Sequence, residues 1–393
     1  GIDSTEDPRK ISMLRSQIDG ASIEKLVITD FPSVTPEDKV SDAIAKMRQS
    51  GFQDIPVIDA GNYAGMISYG QILKKKSVQM DSKVKGFMKT LPTVDAGTSI
   101  TGMAEVMTAE NCRQIAYTNG KKVAGMISRR SLVEIAAFQK ALNDIRIWEI
   151  MTVPVEAVEE NDMLSKAIGI MRQLDIRTVP VIDNTYQPVG IVGMNEIVDS
   201  FFKDEPKTYG DMEKNSKSQI TVESVCKTTV ETIEWDDTLG AAADIMVDKG
   251  ISTLPVVQDG ELVGVVTEYD IIELIASCKE RDGILVEISG LEEDDKFYTD
   301  AMYEDIGAEV KKIAKIKNPS SYTIHVARYN EGGDRQKYSL SGRMIVEGRV
   351  YSAKVIEWDL VRANNDLVKK IADMVMTKKD ITVGLRRRKD PVE

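Results

Sequence analysis

Four stretches of the chain repeat one pattern of hydrophobic and polar positions. In the first, Val40, Ala43, Ile44 and Met47 recur at helical spacing, Gly51 follows, Ile55-Pro56-Val57-Ile58 is a continuous apolar run, and Ala60-Gly61-Asn62 precedes a return from Tyr63 to Ser68. The pattern predicts an amphipathic helix ended by Gly51, a buried strand, a turn, a second strand and a closing helix from about Tyr69. Thr35-Pro36-Glu37-Asp38 predicts the helix start, with a hydroxyl cap, proline at the first helical position and an acid at the third. The third and fourth copies place Met163, Ala167, Ile170 and Met171 before Thr178-Val179-Pro180-Val181, and Leu239, Ala242, Ile245 and Met246 before Thr253-Leu254-Pro255-Val256. The second departs, with Gln114-Ile115-Ala116 where a hydrophobic-proline step is expected. Each copy also opens with a short strand, giving a βαββα unit at a period of about 60 to 75 residues.

The second strand of each copy ends in a glycine-led motif: Gly65-Met66-Ile67-Ser68 with Gln71, Gly125-Met126-Ile127-Ser128 with Ser131, Gly190-Ile191-Val192-Gly193 with Glu196, and Gly264-Val265-Val266-Thr267 with Asp270. Only the fourth keeps a hydroxyl and a carboxylate three residues apart. Between copies a hydrophobic-x-x-hydrophobic-Met element recurs, from Val84 to Met88 and Ile147 to Met151, and with Cys for Met from Val222 to Cys226. In order and spacing, residues 22 to 280 resemble four cystathionine-beta-synthase (CBS) repeats, at 22–80, 81–142, 143–204 and 217–280, which implies two tandem Bateman modules.

In that family the cleft between paired repeats binds adenosine nucleotides. The resemblance therefore implies AMP, ADP or ATP as regulatory ligand and no cofactor. By motif position, Asp270 would accept both ribose hydroxyls, Thr267 would meet ribose or phosphate, and the main chain of Thr253, Leu254 and Pro255 would line the base, bordered by Thr229 and Val230. One carboxylate offers two acceptors to a vicinal diol, which suits the assignment. The competing reading is that Thr267 caps the following helix and Asp270 sits in its first turn. Glu196 in the third copy and Ser68 in the first are further candidates, and Arg113, Arg129 and Arg130 of the second could contact phosphate or be solvated.

Composition narrows the function classes. No apolar run is long enough to span a membrane, and the polar start lacks the apolar core of a signal peptide, so a cytoplasmic protein is expected. Three unpatterned cysteines and a single histidine, His325, support neither a disulfide framework nor a zinc site. No nucleophile-base set or phosphate loop is visible, and a non-enzymatic role follows. The net charge of -12 divides unevenly: residues 311–393 carry 19 Lys and Arg against 10 Asp and Glu, while residues 1–310 carry 32 against 53. A basic terminal region on an acidic body predicts an anionic partner, nucleic acid first; the alternative is that it docks on the acidic body itself.

Beyond Arg281 the repeat stops. Strands are predicted at Ile284 to Ile288, Tyr322 to Val326, Gln336 to Val346 and Arg349 to Trp358, with helices from Phe297 to Lys317 and from Asp359 to about Lys378, in the order βαβββα. Along Gln336 to Met344, Tyr338, Leu340 and Met344 face one way, and Lys337, Ser339, Ser341 and Arg343 the other. Gly348-Arg349-Val350-Tyr351-Ser352-Ala353 and Trp358-Asp359-Leu360-Val361-Arg362-Ala363 resemble the ribosome hibernation factor fold, related in shape to double-stranded RNA-binding domains. Residues 283–393 would then bind rRNA in the decoding region of the small ribosomal subunit and silence translation, through Lys311, Lys315, Arg328, Arg335, Lys337, Arg343, Arg349, Lys354, Arg386, Arg387 and Arg388. Such binding would rest on phosphate neutralisation and shape. The overall expectation is an α/β and α+β protein whose nucleotide-binding body controls ribosome binding. The alternative is an adenine-nucleotide sensor that regulates an enzyme or transporter, with the terminal domain as adaptor. A homodimer is left open.

Overall fold

The computed structural model describes residues 8–75, 78–153, 155–202, 220–279, 284–330, 336–347 and 349–377. The chain forms two compact units, one of Gly20–Leu132 with Glu156–Glu231, the other of Gly1–Asp19, Val133–Val155 and Thr232–Glu393. After an N-terminal helix, α1 (Pro8–Asp19), the first repeat runs α2 (Val40–Ser50), β1 (Asp54–Asp59), β2 (Asn62–Ser68) and α3 (Tyr69–Leu73). The second repeats the order as α4 (Ile100–Glu110), β3 (Gln114–Asn119), β4 (Lys122–Ser128) and α5 (Arg129–Ala137). The third is α6 (Ile147–Ile150), β5 (Val158–Glu159), α7 (Leu164–Leu174), β6 (Thr178–Ile182), β7 (Pro188–Gly193) and α8 (Met194–Phe202). The fourth is β8 (Ile233–Glu234), α9 (Leu239–Lys249), β9 (Thr253–Gln258), β10 (Glu261–Thr267) and α10 (Glu268–Ser277).

The opening strand of each unit is short. β5 and β8 run parallel to β6 and β9 over two residues, and in the first two repeats only the bridges Val34 to Val57 and Val94 to Tyr117 remain. The expected helix start at Thr35 is displaced. Asp38 Oδ2 accepts the Thr35 N–H at 2.8 Å, closing a turn, and α2 begins at Val40 with Asp42 Oδ2 accepting the Lys39 N–H at 3.0 Å. Gly51 ends α2 in the left-handed region, and Asn111 and Asp175 take the same conformation after α4 and α7. Ala116 in place of proline leaves the β3–β4 hairpin intact, because the ladder needs the strand's hydrogen bonds and not its ring.

The recurrent glycines have a steric cause. A Cβ on Gly65 would stand 2.8 Å from the Lys89 carbonyl oxygen, on Gly125 2.8 Å from that of Ile28, on Gly190 2.6 Å from that of Lys227, and on Gly264 3.2 Å from that of Thr152. The segment after each linker therefore lies on the glycine strand of a different repeat, bridging Met66 to Lys89, Ile28 to Met126, Ile191 to Lys227 and Thr152 to Val265. The exchange is reciprocal within repeats one and two and within three and four. Beneath them Val40, Ile44, Met47, Ile55, Tyr69 and Ile72 join Leu164, Met171, Val179, Val192 and Ile197 in one core.

The terminal region folds as β11 (Leu285–Ser289), α11 (Thr299–Ala314), β12 (Pro319–Asn330), β13 (Gln336–Val346), β14 (Arg349–Glu357) and α12 (Leu360–Met376). The sheet order is β11-β12-β13-β14, with β11 parallel to β12 and the other pairs antiparallel. Tyr322, Ile324, Val326, Leu340, Met344 and Tyr351 on one sheet face pack on Met302, Ile306 and Ile313 of α11 and Leu360, Leu367, Ile371 and Val375 of α12. Strand β12 reaches well beyond the expected Tyr322 to Val326, because its polar ends pair with β13 as far as Asn330 to Gln336. His325 serves the sheet, its Nδ1 lying 2.8 Å from Ser289 Oγ.

Candidate functional site

Strand β10 delivers Thr267 to the start of α10 and places Asp270 in the first turn, where it is 1 % exposed. Asp270 Oδ2 accepts the Thr267 N–H at 2.7 Å, so the capping geometry is realised. Oδ1 accepts the Thr152 hydroxyl at 3.3 Å and also pairs with Arg343 Nη1 of β13. Arg343 Nη2 donates to the Ile150 carbonyl at 2.6 Å, and Glu273 Oε2 lies 3.6 Å from Nη1. Burial, moderated by Arg343 and reinforced by Asp270, pushes the Glu273 carboxyl up to about 7. Burial disfavours the Arg343 charge, but Asp270 and Glu273 outweigh it and raise its pKa above the ordinary value.

Arg343 reaches this position because β13 alternates. Leu340 and Met344 belong to the domain's own core, and a Cβ on Gly342 would stand 2.8 Å from Leu367. Arg343 and Ser339 therefore point off the opposite face, yet they are only 8 % and 2 % exposed. That face lies on the linker of the third repeat and on the fourth repeat. Ser352 Oγ donates to the Val153 carbonyl at 3.5 Å, and the Arg349 guanidinium sits 5.9 Å above the Trp148 ring. The basic region docks on acidic body residues, the alternative left open by the charge division.

The other nucleotide candidates are distributed as follows. Thr253 and Leu254 are buried in β9, where β8 pairs with Val256 and Val257 and stops short of Thr253 to Pro255. Thr229 is exposed and Val230 half-buried; both belong to the unit containing repeats one and two, while Thr253, Thr267 and Asp270 belong to the other. Ser68 caps α3 by accepting the Gln71 N–H at 3.2 Å. The Glu196 carboxylate folds back over Gly193 beside Thr178. Ser128 and Ser131 hydroxyls bond each other at 3.0 Å.

A second cluster lies in the unit of repeats one to three. Asp54 Oδ2 accepts the Arg113 and Gln114 N–H groups at 2.7 and 3.2 Å, and Gln114 Oε1 accepts those of Gln53 and Asp54, both at 3.0 Å. Arg129 donates from Nε to the Cys112 carbonyl at 2.8 Å and from Nη2 to Asn111 Oδ1 at 3.0 Å. Asn111 Nδ2 donates to Asp175 Oδ2 at 3.0 Å, and Arg177 Nη2 to Asp175 Oδ1 at 2.7 Å. Burial, with the neighbouring Arg177 and Arg129 charges, lowers Arg113 to about 9, while burial raises Asp54. Three guanidinium groups thus share one region with two carboxylates, Asp175, paired with Arg177, and Asp54, whose own charge burial disfavours. Sequence reasoning named Arg113 and Arg129 and missed Asp54, Asp175 and Arg177. The available signal was position, because Gln53-Asp54, Arg113-Gln114 and Arg177-Thr178 each span the start of a repeat's first hairpin strand.

The residues expected to meet rRNA do not form one open face. Arg343 is committed to Asp270, and Arg349 lies over Trp148. Arg328 Nη1 pairs with Asp294 at 2.7 Å and Asp295 at 3.3 Å, and the Lys337 ammonium is 5.0 Å above the Trp358 ring. Lys354 on β14 is half-buried, whereas Lys311 and Lys315 on α11 are exposed. Arg335, Arg386, Arg387 and Arg388 lie outside the described residues. Among the described residues no His, Cys, Asp and Glu group could hold a metal, and no helix is long and apolar enough to cross a membrane.

The sequence profile of the CBS domain matches residues 23–77, 147–203 and 222–277. The chain belongs to the CBS-domain proteins, with archaeal relatives. Uncharacterized protein MJ1404 of Methanocaldococcus jannaschii is 29% identical over 300 residues, covering 75% of this chain and 70% of that protein. MJ0653 of the same organism is 32% identical over 153 residues, 39% of this chain and 72% of the relative. Among solved structures, MJ1225 of M. jannaschii, put forward as an archaeal homolog of g-AMPK, superposes with a TM-score of 0.56 at 20% identity, over 64% of this chain and 99% of its own. That likeness is one of fold.

Proposed function

We propose that the protein is an adenine-nucleotide-sensing regulatory protein. AMP, ADP or ATP bound by the paired repeats controls a partner enzyme or transporter, with the terminal domain as adaptor. The observation that carries this reading is the convergence of Arg113, Arg129 and Arg177, where burial first, and then the charges of Arg177 and Arg129, lower the Arg113 pKa to about 9. An arriving phosphate would relieve the repulsion among those charges, and guanidinium forks suit its oxygens. Control of translation through rRNA is not adopted, because the sheet face it needs is turned onto the fourth repeat. A nucleotide can regulate only by preferring one arrangement of the chain over another.

Isothermal titration calorimetry of the full chain with AMP, ADP and ATP tests the reading. At least one should bind saturably, and Arg177→Ala or Arg113→Ala should weaken it tenfold or more, since a charge-assisted bond is worth about 1.5–3 kcal/mol. Absence of binding by all three in the wild-type chain would refute the proposal. Undiminished affinity in both variants would remove the arginine cluster from the site.

A further inference from the structure

Three of the roughly four acceptor positions of the Asp270 carboxylate are already filled. One oxygen holds the Thr267 N–H at 2.7 Å, and the other holds the Thr152 hydroxyl at 3.3 Å together with Arg343. The donor that fills it comes from the C-terminal domain, 73 residues further along the chain. We infer that this domain is a tethered competitor of the fourth repeat's ligand: Arg343 and the hydroxyls of an adenosine ligand take Asp270 in turn, so that nucleotide entry releases the domain from the repeat. The inference rests on the nucleotide-sensing reading above and adds the regulated element and the group that does the regulating.

Three features of the contact fit a latch better than a permanent joint. First, Arg343 is incompletely satisfied. Its Nε has no hydrogen-bond partner, and Glu273 Oε2 stands at ion-pair distance, 3.6 Å, with no hydrogen bond. Second, a buried ion pair recovers in attraction roughly what it loses in desolvation, so the contact orients the domain without holding it strongly. Third, the domain keeps a core of its own on the other sheet face, against α11 and α12, although Ile345 and Val350 are also buried on the docked face beside Arg343 and Ser352, whose Oγ meets the Val153 carbonyl at 3.5 Å. The domain can leave the repeat without opening its own core.

The exchange is chemically matched. Arg343 donates Nη1 to one carboxylate oxygen of Asp270; a vicinal diol would donate to the same carboxylate from its hydroxyls. When the ligand takes this place, the Ile150 carbonyl loses the Arg343 Nη2 donor and Glu273 loses its nearest cation. The linker of the third repeat, residues 147 to 153, is thereby uncovered together with β13. Undocking presents Ser339, Ser341, Arg343 and Ser352 on one sheet face, with Ile345 and Val350 beside them.

Hydrogen-exchange mass spectrometry on the full wild-type chain, with and without saturating AMP, ADP or ATP, reads the release directly. Faster exchange over residues 147–153 and 339–352 with the ligand that binds is expected. Calorimetry on Arg343→Met, which removes the competitor while keeping an apolar stem, should show that ligand bound at least tenfold more tightly than by wild type, and Asp270→Asn should abolish the gain. If a nucleotide binds but exchange over both segments is unchanged and Arg343→Met binds no more tightly, the latch is refuted while nucleotide sensing stands. If no adenine nucleotide binds either wild type or Arg343→Met, both readings fall.

Discussion

Glu273 shows at the scale of a single residue how the docked face is balanced. Burial raises its carboxyl from the ordinary 4.5 to about 7, with Arg343 opposing the shift and Asp270 adding to it. Between those two values the folded chain binds the Glu273 proton and the unfolded chain does not, so this group's contribution to stability is fully present below about 4.5 and is lost as pH rises through about 7. Urea unfolding at intervals from pH 5 to 8 should show stability falling with pH across that window, with a shallower fall in Glu273→Gln. An identical slope in the variant would contradict the assignment. The carboxylate of Asp270 and the hydroxyl of Thr267 were legible from their spacing, and the capping geometry was weighed with the ligand reading. The destination of Arg343 was not legible, because strand alternation says which side of a sheet a residue takes and not what covers that side. Asp54, Asp175 and Arg177 escaped for a related reason: they come from the first and third repeats and meet only in the folded chain.

At the scale of elements, the linker crossings explain why glycine returns at the same place in each repeat. Gly190→Ala puts a methyl group 2.6 Å from the Lys227 carbonyl oxygen, where backbone must move, and should cost about 1–3 kcal/mol of stability in denaturant unfolding. Gly307 in α11 has open space around its Cβ position, so Gly307→Ala should instead stabilise by about 0.5–1 kcal/mol. Equal effects of the two substitutions would overturn the steric explanation. The glycines themselves were visible as a repeated motif, and so were the linkers, the hairpins and the βαβββα order of the terminal domain. Their reciprocal pairing was invisible, since each glycine is explained by backbone from another repeat. The full length of β12 was hidden for a different reason: its polar ends carry no apolar signal, and hydrogen bonding to β13 defines them.

For the whole chain, the division of charge between an acidic body and a basic terminal region was plain in composition, and it admitted two outcomes. In the folded chain the fourth repeat receives Arg343 from the terminal domain, while Arg113, Arg129 and Arg177 gather in the other unit. One unit thus holds a carboxylate already paired with an internal cation, and the other three arginines gathered with Asp54 and Asp175. The central claim is that an adenine nucleotide is a ligand of the native chain. A ligand present at a hundredfold excess over its dissociation constant stabilises the native state by about 2.7 kcal/mol, and the effect grows with the logarithm of concentration. Thermal unfolding across a concentration series of AMP, ADP and ATP is the most direct measurement. The midpoint should climb steadily with at least one of them, and a midpoint unmoved by all three up to millimolar concentrations would rule out an adenine nucleotide as ligand.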